Sequence, residues 1–146
     1  MQVDEIRKLL PHREPFLFID EIVEIREEGL TARRTIRESE PQFKGHYPGR
    51  PIMPGVLLCE SALQAGCLFL AVSSDGKGFN GTPVVTRMND VKFRKMVLPG
   101  DTLDIHVALE KSVMNVHFMR AKILVGKSKV MTLSFAVTLA PEEPNS

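Results

Sequence analysis

The sequence predicts an α+β domain in which a curved antiparallel sheet wraps one long apolar helix. Residues 55–72, GVLLCESALQAGCLFLAV, form an extended apolar run without a broad polar stripe, the pattern of a helix covered on most sides. Two strand-like segments precede it and four follow, with turn residues between them, a layout that packs sheet on helix. Leu103, Ile105, Val107 and Leu109 alternate with more polar neighbours, so they share one face toward a core.

Each element has its own signal. Val3, Ile6, Leu9 and Leu10 recur at helical spacing, and Pro11 stops that helix. Phe16–Ile25 is rich in β-branched and aromatic residues, and Gly29 separates it from Leu30–Ile36, which predicts a hairpin. Periodicity is then lost over residues 37–53, RESEPQFKGHYPGRPIM, where three prolines and two glycines point to an ordered loop. Pro54 suits the first turn of the long helix, where its missing amide proton costs nothing, and Ser73–Gly81 ends the helix. Strands are expected over Val84–Phe93, Thr102–Leu109, Val116–Val125 and Val130–Leu139, with turns at Pro99-Gly100-Asp101 and Gly126-Lys127-Ser128.

The 146 residues fit a single domain spanning 1–146, and 43% hydrophobic with 25% charged residues is the composition of a globular core. A formal net charge of +1 argues against bulk attraction to nucleic acid. Cys59 and Cys67 lie two helical turns apart, too far to bridge, and are expected as reduced core residues. The N-terminal MQVDEIRKLL is not a secretory signal, so a cytoplasmic location is expected. The long apolar run is read as a buried helix and not a membrane span: Glu60 opposes insertion by about 2.5–3.5 kcal/mol, and no Lys/Arg cluster flanks it.

Three positions could carry chemistry. His46 sits in a loop pinned by Pro48, Pro51 and Pro54, and an imidazole with one nitrogen fixed can exchange a proton at the other. The alternative is a histidine that merely satisfies loop backbone. Glu60 falls among Val56, Leu57, Leu58, Ala62 and Leu63, and burial would raise its pKa toward that of a general acid. Otherwise it lies on a narrow solvent stripe shared with Gln64. Gly55 opens the helix, where an unpaired amide can hold a carbonyl oxygen that gains charge, although Pro-Gly also starts helices for conformational reasons. His12, in a turn, and His106 and His117, in strands, are assigned structural or surface roles. Lys92, Arg94 and Lys95 form a basic cluster that either keeps a surface soluble or steers an acidic carrier protein. No metal-ligand spacing and no Gly-rich nucleotide turn is present, so neither metal nor cofactor is expected.

Residues 43–64, FKGHYPGRPIMPGVLLCESALQ, closely resemble the active-site signature of FabZ-type 3-hydroxyacyl-[acyl-carrier-protein] dehydratases. LPHREPFL at 10–17, VKFR at 91–94 and PGD at 99–101 extend the likeness over nearly the whole chain. The resemblance implies a hot-dog fold and a homodimer whose sheets join edge to edge, with His46 facing Glu60 of the second chain. Family members commonly assemble further into trimers of dimers. It also implies roles: His46 takes the α-proton of a 3-hydroxyacyl chain held on acyl carrier protein, Glu60 protonates or orients the departing hydroxyl, and the Gly55 amide holds the thioester carbonyl. The product would be a trans-2-enoyl thioester of fatty-acid biosynthesis. Glu60, where the related FabA-type dehydratase-isomerases carry Asp, speaks against isomerase activity. A non-catalytic carrier-binding module and a hot-dog thioesterase are the competing readings. Thr86-Arg87-Met88-Asn89, Met131-Thr132-Leu133, Glu14 and Glu21 depart from the family pattern, and Arg87 would crowd or charge the region near the acyl tunnel, which leaves the acyl-chain preference open.

Overall fold

The computed structural model describes residues 1–46, 49–73 and 81–140. Helix α1 (Val3–Leu9) leads into the hairpin β1 (Glu21–Arg26) and β2 (Gly29–Thr35). A single 3₁₀ turn (Pro41–Lys44) precedes α2 (Gly55–Ser73), after which come β3 (Thr82–Phe93), β4 (Thr102–Val113), β5 (Val116–Val125) and β6 (Ser128–Ala140). All six strands form one antiparallel sheet in the order β1-β2-β4-β5-β6-β3, so β1 and β3 are its two edges. The expected layout of sheet around helix is the observed one.

The core lies between α2 and the concave face of the sheet. From Leu58 to Ala71 every residue of α2 except Glu60 is buried, and the facing layer is Leu30, Ala32, Leu103, Ile105, Val107, Met119, Ala121, Ile123, Met131, Leu133 and Phe135. Burying each large side chain contributes about 1.5–3 kcal/mol. Gly66 brings helix and sheet together: a Cβ there would come 2.6 Å from the Phe135 ring, a separation no side chain accepts without movement. The apolar run is therefore a core helix enclosed largely by its own sheet, not one left bare for lipid. Cys59 and Cys67 are buried free thiols, as expected.

Several boundaries differ from the sequence expectation. The first strand begins at Glu21, not Phe16. Over residues 16–18 the backbone is satisfied by a side chain: Gln64 of α2 donates Nε2 to the Phe16 carbonyl at 2.8 Å and accepts from the Phe18 amide at 2.8 Å. A carboxamide there does what a neighbouring strand would do. Strand β4 runs on to Val113, past a bulge between Leu109 and Lys111, because the tight hairpin closes at the Val113–Val116 pair. Pro54 stands one residue before α2 and acts as its cap, its carbonyl accepting from Leu57 and Leu58. Most of the expected helix ending at Ser73–Gly81 and the tail from Pro141 lie outside the described residues.

Candidate active site

The loop that carries His46 is tied to β2 by a buried ion pair. Arg34 is 4% exposed; its guanidinium donates to Glu40 and to the Leu17 carbonyl and lies 4.7 Å over the Phe18 ring. Glu40 also accepts from the Arg37 amide at 2.7 Å and the Gln42 side chain at 3.0 Å. The Gln42 carbonyl in turn accepts the His46 amide at 3.1 Å. Beyond Pro51, the loop returns so that His46 Nδ1 is 2.7 Å from the Ile52 carbonyl oxygen. A carbonyl only accepts, so Nδ1 carries the proton and Nε2 is the basic nitrogen of the neutral ring. Tyr47 and Pro48, the latter one of the expected pins, lie outside the described residues.

Glu60 occupies a different wall. Its side chain is 22% exposed and faces a cavity of about 320 Å³ lined by His12, Leu63, Gln64, Cys67, Pro83, Val84 and Val85. Gln64 Nε2 donates to Glu60 Oε2 at 3.0 Å, and His12 Nε2 stands 3.7 Å from the same oxygen. Gln64 is fully buried, so the pair forms no solvent stripe. Each polar atom of its amide is engaged, which fixes which end points at Glu60. Within one chain the described contacts of Glu60 are with Gln64 and His12, not with His46.

His12, for which a structural or surface role is expected, stands beside Glu60. Its side chain is 23% exposed, its Nδ1 is buried without a partner, and its ring stacks on Phe16. Burial pulls its pKa below the ordinary 6.5, outweighing the upward pull of Glu60, and Arg13 adds to the lowering. The signal was present in the LPHR segment but spacing does not show that residue 12 folds back onto α2. His106 Nδ1 lies 2.9 Å from the Thr31 hydroxyl and His117 Nδ1 2.8 Å from that of Ser112. Burial also pushes the Cys67 thiol in the cavity up to about 12, so it is not a nucleophile near neutral pH.

Gly55 is the first residue of α2, so its amide is among those with no carbonyl one turn earlier. A Cβ at this position would come 2.9 Å from the ring of the exposed Phe93, which would have to move to admit a side chain. Arg87 is exposed and pairs with Ala136 across a bulge; it does not line the Glu60 cavity. Thr132 faces outward between buried Met131 and Leu133. A larger hollow of about 730 Å³, lined by His106, Ala108, Lys122 and Thr132, lies on the face of the sheet away from α2. Lys92, Arg94 and Lys95 are exposed at the end of β3 and just beyond it, with Lys95 Nζ donating to Ser128. Among the described residues no group of three or more His, Cys, Asp and Glu is placed to hold a metal.

The FabA-like domain family matches residues 10–134. A protein of Geobacter metallireducens named 3-hydroxyacyl-[acyl-carrier-protein] dehydratase FabZ is 43% identical over 89% of this chain and 87% of its own length. FabZ of Clostridium perfringens is 41% identical over 83% and 86%, and that of Anaeromyxobacter is 38% identical over 98% and 92%. Among solved structures, the dehydratase heterocomplex ApeI:P from Xenorhabdus doucetiae superposes with a TM-score of 0.81 over 97% of this chain and 93% of that one, at 15% identity. A hypothetical thioesterase with coenzyme A from Streptococcus pneumoniae gives 0.63 over 84% and 87%, at 16% identity. At such identities the structures speak for the fold alone, while the sequence matches go further: this chain belongs to the FabA-like family.

Proposed function

We propose that His46 and Glu60 of two different chains form the acid-base pair of a dehydratase acting on 3-hydroxyacyl-[acyl-carrier-protein]. The chain is a hydro-lyase of fatty-acid biosynthesis, in common with the FabZ relatives. The observation that supports His46 as the base is the bond from its Nδ1 to the Ile52 carbonyl, since a neutral ring that donates at Nδ1 has its lone pair at Nε2. In the reaction His46 Nε2 takes the α-proton and the electrons move toward the thioester carbonyl, where the Gly55 amide stabilises the developing charge. The β-carbon–oxygen bond then breaks, Glu60 gives its proton to the departing hydroxyl, and water and the trans-2-enoyl thioester are released.

A homodimer supplies the second chain. Strand β3 is an unpaired edge, and Val84, Met88 and Phe93 on it, with Val56 and Met96 nearby in sequence to Gly55 and Phe93, are large apolar residues left exposed. An apolar edge of this length is the liability that pairing with a second copy removes. Further assembly into trimers of dimers belongs to the same reading. Lys92, Arg94 and Lys95 would steer the acidic carrier toward the site. A cytoplasmic location is consistent with the two free thiols.

Purified protein should hydrate a crotonyl thioester and dehydrate the 3-hydroxyacyl form, and His46→Ala should lose at least about a hundredfold in rate while remaining folded. Release of free thiol without alkene formation would instead make it a thioesterase, and carrier binding without turnover a binding module.

A further inference from the structure

We propose that His12 is a positioning residue for Glu60: its Nε2–H and the Gln64 amide both address Oε2, which leaves Oε1 turned to the substrate. The inference rests on the reading of Glu60 as the acid. Gln64 Nε2 lies 3.0 Å and His12 Nε2 3.7 Å from the same carboxyl oxygen. His12 cannot easily turn away, because its ring stacks on Phe16 and its Nδ1 is sealed from solvent. Phe16 is itself held by Gln64, which accepts no rotation of its amide without losing three bonds. Histidine, carboxyl and carboxamide therefore form one rigid group on the cavity wall.

Burial and the charges around the ring together set its protonation. Facing it are Glu60 and Cys67 from α2 and Arg13 from its own turn, while Pro83, Val84 and Val85 of β3 contribute no charge. Burial is the largest influence and favours the neutral ring. A neutral imidazole carries one proton, and a carboxyl oxygen beside Nε2 draws it there. With Oε2 accepting from Gln64 and facing Nε2–H, Oε1 is the oxygen left to meet the leaving hydroxyl.

The test uses three substitutions that differ in where they place a donor. His12→Gln puts an amide nitrogen near the position of Nε2, whereas His12→Asn reaches only the position of Nδ1 and His12→Phe keeps the ring without a donor. His12→Gln should keep kcat within about threefold of wild type, while His12→Asn and His12→Phe should lose about tenfold or more with KM changed less than about twofold. In parallel, NMR titration of the His12 ring in wild type and Glu60→Gln should show a lower midpoint in the variant, because the carboxylate that raises it is gone. Equal kcat in all three His12 variants, or a His12 midpoint unmoved by Glu60→Gln, overturns the proposal. A folded wild type with no dehydratase activity would overturn the catalytic reading of Glu60, and the NMR comparison would then decide the coupling of His12 to Glu60 by itself.

Discussion

Replacing Gln64 by leucine removes the most heavily used side-chain amide among the described residues. The side chain is fully buried and makes three bonds: to the Phe16 carbonyl, from the Phe18 amide and to Glu60 Oε2. Leucine fills a similar volume, so little of the loss comes from packing. What remains is a buried Phe18 amide and a part-buried Phe16 carbonyl without partners, each costing about 1–3 kcal/mol with the carbonyl at the lower end. Summed, with some relief if water enters, Gln64→Leu should destabilise by about 2–5 kcal/mol, against a total of about 5–15 kcal/mol for a domain of this size. Gln64→Glu keeps the acceptor for Phe18 but loses the two donated bonds and sets a second carboxyl beside Glu60, so it should be at least as damaging at neutral pH and recover partly in acid. Urea melts followed by circular dichroism measure both, with the midpoint compared at constant slope. A loss below about 1 kcal/mol for Gln64→Leu would refute the argument that this amide replaces a strand partner.

The Arg34–Glu40 pair gives a second expectation: Arg34→Leu should cost about 3–5 kcal/mol by stranding Glu40, while the apolar double variant Arg34→Met/Glu40→Leu should cost less than the single one in the same melts. A pH series gives a third. The folded-state pKa of His12 lies below its ordinary 6.5, chiefly through burial, so its contribution to stability is intact above the ordinary value and is lost as pH falls through the lowered one. The slope from this histidine cannot exceed about 1.4 kcal/mol per pH unit. His12→Gln should flatten the stability profile on the acid side of about pH 6.5; an unchanged profile would mean the ring titrates alike folded and unfolded.

The fold was legible because its strongest signals are local. Residues 55–72 lack a polar stripe since the sheet covers them, and the alternation of Leu103, Ile105 and Val107 survives intact in β4, with all three buried. The errors fall where a residue's partner is distant in sequence. Residues 16–18 look like a strand because they are apolar, yet their backbone is completed by Gln64, 46 residues or more away. His12 looked like a turn residue for the same reason, since only the folded chain brings it to Glu60. The Arg34–Glu40 tie was invisible, because one arginine within a strand pattern carries no mark of burial. Of the site itself, the prolines and glycines of the loop marked an ordered segment around His46, but its spacing alone left a catalytic ring and a ring that satisfies loop backbone both open, and the Ile52 carbonyl as its partner was not visible.

The measurement that tests the two-chain site most directly is subunit mixing. His46→Ala and Glu60→Gln, each nearly inactive alone, are unfolded together, refolded as a mixture and assayed for hydration of a crotonyl thioester. In a two-fold dimer the hybrid has one site with both groups intact and one with neither, so an equal mixture should recover about a quarter of wild-type activity. A mixture that forms hybrids yet stays as inactive as its components would place His46 and Glu60 in the same chain's site, or outside the chemistry altogether.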